Sequence, residues 1–252
     1  MNYEKMSARE LREIFQAKGY DPSWRLAKFF SIWISKALSK TRITPNQITI
    51  LWGIFITLSY ALLATGDVKY MLIVPLLIQI YLILDCVDGE VARMKGMTSV
   101  LGKKLDQLVH EVADNVQMLA ITIAVYNQTK TPVALGIGVL MFFGRAVRLR
   151  IRYIIRTSIP PEDKKELVKR NQLVRRGGVR RVIAKLNYYR RHIPYGGVHL
   201  MILSALFGKM LIAFIIWTAV MNLKWTSSLI LWGVKMWRSP ELRGYNGSSK
   251  NR

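Results

Sequence analysis

The sequence contains little cysteine and few acidic residues. Cys86 is its one cysteine, which excludes an intrachain disulfide and a metal site built from several cysteines. Asp and Glu number 15 against 38 Lys and Arg, so the formal net charge is +23. The first 20 residues are charged and lack an apolar run, and we therefore expect no cleavable signal peptide. No segment is repeated along the chain, which argues against a repeat protein.

Hydrophobic residues are abundant and occur in long runs, as is typical of an integral membrane protein. They make up 51% of the sequence, whereas charged residues make up 21%. Four runs have the length of a membrane-spanning helix, about 17–25 residues. Their approximate bounds are 48–64, 70–93, 105–126 and 132–155.

A longer apolar tract follows at residues 198–237. Division at Phe207-Gly208-Lys209 gives two further spans, the second of which contains Asn222 and Lys224. Division at residues 222–226 would leave too few apolar residues for a second span, so the alternative is five spans with an interfacial helix. We predict an all-α integral membrane protein with six transmembrane helices.

The segment 22–40 alternates basic with aromatic and aliphatic residues, among them Lys28, Phe29 and Trp33. This pattern predicts an amphipathic helix that lies on the cytoplasmic surface of the membrane. The predicted divisions are a cytoplasmic N-terminus with this helix at 1–43, a six-helix membrane domain at 44–237 and a polar C-terminal tail at 238–252.

Basic residues concentrate in the predicted loop at about 157–192, whereas the loops near Gly66, Gln128 and Gly208 hold few charges. Such asymmetry predicts that the basic loop and both termini are cytoplasmic. We expect the protein in the cytoplasmic membrane of a prokaryote, with its basic loop attracted to anionic lipids. We expect no nucleic-acid partner, because no recognised nucleic-acid-binding module accompanies the charge.

Acidic residues stand at helical spacings near the cytoplasmic end of the second predicted span. Asp85 and Asp88 project from one helix face beside Gly89. Asp106 and His110, four residues apart, form a second polar face on the next predicted helix. Placing an unpaired carboxylate in the membrane costs on the order of several kcal/mol, unless the carboxylate binds a cation or faces a water-filled cavity. A divalent metal is therefore expected at these residues.

Oxygen-rich sites of this kind suit Mg²⁺ or Mn²⁺, and Mg²⁺ often completes its coordination with substrate phosphates. The structural alternative is that the carboxylates pair with nearby lysines. The candidates are Lys95, Lys103 and Lys104.

These residues resemble the signature of the CDP-alcohol phosphotransferases, D-x2-D-G-x2-A-R-x8-G-x3-D-x3-D. The matching residues, with every spacing kept, are Asp85, Asp88, Gly89, Ala92, Arg93, Gly102 and Asp106. His110 stands where the signature has its last Asp. The segment Thr44–Thr49 also resembles the stretch that precedes the family's first membrane helix, and we take the resemblance to cover about residues 22–237.

The resemblance implies that the membrane domain is a metal-dependent transferase of phospholipid biosynthesis. Its active site would face the cytoplasm. A substituted phosphate group, phosphatidyl, would pass from a CDP-alcohol such as CDP-diacylglycerol to an acceptor hydroxyl, with release of CMP. One or two Mg²⁺ or Mn²⁺ ions would be held by Asp85, Asp88, Asp106 and His110. The nucleotide would be bound by Asp85, Asp88, Gly89, Ala92, Arg93 and Gly102. The family also implies a homodimer.

His110 leaves two functional alternatives open. The family's Asp at this position assists metal binding and deprotonates the acceptor hydroxyl, and a neutral histidine is chemically able to do either. The first alternative is an active enzyme in which His110 is the catalytic base or a metal ligand. The second is an altered or inactive relative that binds nucleotide or lipid. For Arg93, the alternative to phosphate binding is a position at the membrane boundary.

The depth of a residue in the membrane, counted along its helix from the outer surface, predicts which residues bind the acceptor alcohol. At about 1.5 Å per residue, Asp85, Arg145, Arg148 and Lys224 lie about 20–24 Å from the outer membrane surface. The hydrocarbon core is about 30 Å thick, so these polar groups favour a water-filled cavity open to the cytoplasm. We predict that Arg145, Arg148 and Lys224 bind a phosphorylated alcohol such as glycerol phosphate or inositol phosphate. The alternative is that they extend to the membrane boundary.

Overall fold

The computed structural model describes residues 3, 6–15, 22–158, 204 and 206–238. Over these residues the chain forms helices and no strand, which confirms the all-α prediction for this part of the protein. The helices are α1 (Ala8–Phe15), α2 (Pro22–Ser39), α3 (Pro45–Ala64), α4 (Val68–Met94), α5 (Val100–Thr129), α6 (Val133–Ser158) and α7 (Met210–Arg238). The predicted basic loop and C-terminal tail lie almost entirely outside the described residues.

Polar residues fix where the helices begin. Thr44 and Gln47 form a reciprocal capping box at the start of α3. The side chain of Asp67 accepts a hydrogen bond from the backbone of Lys69 and begins α4, and Ser99 begins α5 in a similar way. Each of these three helices therefore starts a few residues before the apolar run from which it was predicted.

Three of the helices, α3, α4 and α5, are long and apolar enough to cross a membrane. Many of their large apolar side chains are exposed, including Leu51, Leu58 and Leu76. Such outward apolar faces are expected where the surroundings are lipid rather than water. These helices support a membrane protein, whereas the predicted number of six spans stays a prediction.

The last predicted span begins where the sequence pattern placed it. Gly208 has a φ of +64°, a backbone conformation that favours glycine, and α7 begins two residues later at Met210. The helix continues through position 222 to Arg238 without interruption, so the alternative division at 222–226 is not observed. Residues 198–203 of the preceding predicted span lie outside the described residues.

The described residues fall into two compact units, one that contains those up to 135 together with 204 and 206–211, and one that contains 136–158 and 212–238. In the first unit, α3 packs against both α4 and α5, α2 packs along α4, and α1 packs on α2. Trp52, Ile56 and Ile78 are buried in it. The second unit contains most of α6 and α7 and buries side chains of both helices, such as Met141 and Phe214.

The helix α2 occupies the segment that was predicted to be amphipathic. Its buried positions include Ser31, Ile32 and Ser35, whereas Phe29 and Trp33 are exposed. The serines donate hydrogen bonds of 3.0 and 2.8 Å to the buried carboxylate of Glu90 on α4. The protein-facing side of α2 is thus partly polar and its outer side is aromatic. Its location on a membrane surface stays a prediction.

The contact between α3 and α5 depends on Gly53. A Cβ atom added at Gly53 would overlap Cγ1 of Val109 on α5. Valine is branched at Cβ and has few alternative rotamers in a helix, so it cannot easily turn away. The lack of a side chain at Gly53 therefore permits α3 and α5 to approach each other closely.

We expect Gly53→Ala to destabilise the protein, because overpacking costs about 1–3 kcal/mol while the gain in helix propensity is about 1 kcal/mol. Thermal unfolding in detergent, followed by circular dichroism, should show a lower Tm. Gly136→Ala is the matched control, since an added Cβ there meets nothing within 4 Å. The double variant Gly53→Ala/Val109→Ala should recover part of the loss. Equal melting of the two alanine variants would contradict the close contact.

Candidate metal and nucleotide site

A carboxylate of α4 meets a carboxylate and an imidazole of α5. Nε2 of His110 lies 2.9 Å from Oδ1 of Asp85 and 3.4 Å from Oδ1 of Asp106. One potential ligand atom from each residue lies within 4.8 Å of the others. The side chains of Asp85, His110 and Asp106 are 11%, 32% and 37% exposed, so the group opens toward Asp106.

The chemistry of these donors fits a divalent cation. Two carboxylates and one imidazole offer negative charge and nitrogen, which Mn²⁺ accepts readily, and the carboxylates also suit Mg²⁺. Three protein donors leave positions in an octahedral shell for water or phosphate oxygens. Asp85, Asp106 and His110 are therefore the residues that would hold the ion.

Asp88 lies outside this group of three, because α3 engages its carboxylate. Its Oδ2 accepts hydrogen bonds from Oγ1 of Thr49 at 2.6 Å and from Nε1 of Trp52 at 2.9 Å. The side chain is buried, and two donors satisfy a carboxylate oxygen that would otherwise be costly in an apolar bundle. Its predicted role as a metal ligand stays a prediction.

The imidazole of His110 has neighbours on its other sides. The hydroxyl of Tyr81, one turn before Asp85 on α4, lies 3.1 Å from Nδ1. The ring of Trp52 packs against it with 4.8 Å between ring centroids. Hydrogen-bonding groups therefore face both ring nitrogens, and an aromatic ring packs against the imidazole.

The predicted nucleotide-binding residues lie along the same end of α4 and the start of α5. A side chain at Gly89 would meet the guanidinium of Arg93 at 3.3 Å. That guanidinium lies 5.5 Å from the ring of Phe15, and the Arg93 residue is exposed. Ala92 is half-buried, and a side chain at Gly102 would meet Asn46 and Ser99 at 3.1 Å. Small residues thus keep this region free of side-chain bulk.

Among the described contacts, Asp85 and Asp106 do not form salt bridges with the nearby lysines. The amine of Lys95 donates hydrogen bonds of 2.7 Å to the backbone carbonyls of Thr41 and Ile43. Among the described contacts, His110 is a polar partner of both Asp85 and Asp106. Lys95 instead ties the end of α4 to the connection between α2 and α3.

The predicted acceptor residues belong to the second compact unit. Arg145 and Arg148 are half-buried on α6. Lys224 lies within α7, and its side chain is outside the described part of the chain. Their role in acceptor binding stays a prediction.

Three contacting residues were not foreseen from the sequence, namely Thr49, Trp52 and Tyr81. Thr49 and Trp52 lie on the α3 face that carries Pro45, Ile48 and Ile56, and all of these are buried. A hydroxyl and an indole N–H on a buried helix face require a hydrogen-bond acceptor. This requirement is what could have predicted the contacts of Thr49 and Trp52 from the sequence. For Tyr81 the signal is its position four residues before Asp85.

Comparisons with known proteins show a family and a relative to which the chain is similar. The CDP-alcohol phosphatidyltransferase family matches the chain over residues 42–234. The phosphatidylinositol phosphate synthase of Corynebacterium glutamicum is 30% identical over 90 residues, which are 35% of this chain and 40% of that protein. The match therefore spans two fifths of the length of this relative.

We expect Thr49→Val to lower the free energy of unfolding by about 1–3 kcal/mol, because it removes a donor from the buried Asp88 carboxylate. The measurement is thermal unfolding in detergent. Thr57→Val is the matched control on the same helix. Both hydroxyls contact the carbonyl four residues earlier, at 3.1 Å for Thr49 and 2.8 Å for Thr57, but only Thr49 reaches a carboxylate. Similar losses in both variants would refute the importance of the bond to Asp88.

Proposed function

Because the chain belongs to the CDP-alcohol phosphatidyltransferase family, we propose that it is a metal-dependent transferase of phospholipid synthesis. It transfers a phosphatidyl group from CDP-diacylglycerol to the hydroxyl of a polar acceptor and releases CMP. The observation that carries this proposal is the convergence of Asp85, Asp106 and His110 within 4.8 Å at the family's signature.

The protein's own residues divide the work of binding. Asp85, Asp106 and His110 hold the divalent ion, and Asp88 stands beside them on α4. A bound ion supplies positive charge that neutralises the diphosphate of the CDP-alcohol. Gly89, Ala92 and Gly102 leave room for the nucleotide against the backbone, and Arg93 offers charge to a phosphate.

The transfer itself is a displacement at the β-phosphorus. The acceptor oxygen forms a bond to this phosphorus while the bond to the bridging oxygen breaks, and CMP leaves with that oxygen. His110 is a ligand in this scheme, because its Nε2 already faces both carboxylates at 2.9 and 3.4 Å. The hydroxyl proton of the acceptor passes to a bound water, or to His110 where the ion does not occupy Nε2.

The acceptor we favour is a polyol that already carries a phosphate. Arg145, Arg148 and Lys224 supply positive charge for that phosphate. The relative from Corynebacterium glutamicum is named a phosphatidylinositol phosphate synthase, so inositol phosphate is the first acceptor to test and glycerol phosphate the second.

The apolar helices and the charge distribution support a membrane setting for the reaction, which we propose as follows. The enzyme lies in the cytoplasmic membrane of a prokaryote, the lipid tails of the donor stay in the bilayer, and the acceptor arrives from the cytoplasm. Basic residues of the loop at 157–192 attract anionic lipids. The active protein is a homodimer.

A second candidate function is a membrane protein that binds a nucleotide or lipid without turning it over. The observation in its favour is His110 itself, which stands in place of a carboxylate of the family signature. The two functions differ in whether the wild-type protein releases CMP.

The test is purified protein with Mg²⁺ or Mn²⁺, CDP-diacylglycerol and a panel of acceptors, with CMP release measured. We expect turnover in the wild type. Asp85→Asn and Asp106→Asn should each lower it about 100-fold or more, since each removes an interaction of about several kcal/mol with the ion. Glu111→Gln is the matched control, because Glu111 is an exposed carboxylate beside His110. No release with any acceptor, together with retained binding of the nucleotide, would favour the second candidate.

The role of His110 is tested by two substitutions. We expect His110→Ala to abolish CMP release, because the ion loses a ligand and the two carboxylates lose their shared partner. His110→Asp should keep some release, because aspartate also binds the ion. The measurement is the rate of CMP release as a function of Mn²⁺ concentration. Wild-type rates in His110→Ala would rule out a role for this residue in the reaction.

A further inference from the structure

Tyr81 makes a specific contact with the one position at which this chain departs from the family signature. Its buried hydroxyl lies 3.1 Å from Nδ1 of His110, while Nε2 on the opposite side of the ring lies 2.9 Å from Asp85. The indole ring of Trp52 packs against both rings, with centroid distances of 4.8 Å to His110 and 5.2 Å to Tyr81. The imidazole is therefore held at both nitrogens and packed against an indole.

We propose that Tyr81 is a positioning residue that sets the ring orientation and tautomer of His110, so that Nε2 faces the carboxylates. The inference rests on the proposed function, since it assigns His110 as a ligand of the ion. Tyr81 itself contacts neither the ion nor the substrate in this scheme. It acts on the reaction through the imidazole.

The hydroxyl suits this task because it both donates and accepts hydrogen bonds. In one arrangement, Nε2–H donates to Asp85 and the Tyr81 O–H donates to Nδ1. In the other, Nδ1–H donates to the Tyr81 oxygen, which leaves the lone pair of Nε2 available and would allow it to bind an ion. One hydroxyl stabilises the ring with and without the ion, whereas a backbone carbonyl would support only the second arrangement.

The pairing is specific to a histidine at position 110. An aspartate there has no ring nitrogen to receive the hydroxyl, and no imidazole whose tautomer the hydroxyl could set. Partners that orient a metal-binding histidine typically change metal affinity about 10–100-fold when they are removed. Tyr81 is expected to have an effect of this size.

The first experiment measures Mn²⁺ affinity of the purified protein by electron paramagnetic resonance, without substrate. We expect Tyr81→Phe, which keeps the ring and its packing, to raise the Kd about 10–100-fold. Tyr60→Phe is the matched control, since the Tyr60 hydroxyl is also buried and accepts a hydrogen bond of 2.9 Å from Gln117. An unchanged Kd in Tyr81→Phe, or an equal change in Tyr60→Phe, would overturn the proposal.

A double-mutant cycle separates positioning from general stability. In the His110→Asp background, Tyr81→Phe should change the Mn²⁺ Kd by less than about threefold, because the imidazole through which Tyr81 acts is absent. The same 10–100-fold loss in that background would show that Tyr81 supports the site structurally and not through His110.

A second readout needs no metal. The sequence contains three histidines, so the double variant His192→Gln/His199→Gln retains His110 as its one histidine. In protein labelled with ¹⁵N-histidine, the ring-nitrogen signals then come from His110. Its nitrogen chemical shifts should report one tautomer in this background and a mixture after Tyr81→Phe. Identical shifts would overturn the assignment of Tyr81. Failure of the wild type to bind Mn²⁺ or to release CMP would instead overturn the proposed function, and the nitrogen shifts would still decide the contact.

Discussion

The acidic residues of α4 lie in an apolar helical bundle, and the need to give each of them a polar partner organises the first compact unit. Asp85 meets His110 of α5, Asp88 meets Thr49 and Trp52 of α3, and Glu90 meets Ser31 and Ser35 of α2. At about 100° per residue, Asp85 and Asp88 leave the helix about 60° apart, and Glu90 leaves it about 140° from Asp85. Each one therefore links α4 to a different neighbour, so the same short segment supports both the packing and the candidate site.

This arrangement explains why the site is built from more residues than the family signature contains. The signature fixes the carboxylates and the small residues beside them, but a carboxylate in an apolar bundle is stable only when donors are present. Thr49, Trp52, Ser31 and Ser35 supply those donors from other helices. The close contact of Gly53 with Val109 holds α3 against α5, on which Asp106 and His110 lie.

The spans α3, α4 and α5 could be predicted because long apolar runs have few alternatives, and the start of α7 could be predicted because glycine favours a positive φ at position 208. The meeting of Asp85 with Asp106 and His110 was implied by the family resemblance, whereas helical spacing predicts only that Asp106 and His110 share a face of α5. The contact of Asp88 with Thr49 and Trp52 was not accessible. It depends on how α3 is rotated about its axis, and hydropathy patterns do not report that rotation.

The sequence by itself determined the family of this protein and which residues are candidates for its site. Seven positions keep the spacings of the family signature, and such a pattern can be read without the fold because helical periodicity is local. Only the tertiary structure decided which partner each polar side chain has. It placed Tyr81 on Nδ1 of His110 and Trp52 between His110 and Asp88, because these contacts join residues 29 to 58 positions apart, where helix packing and not spacing sets the distance.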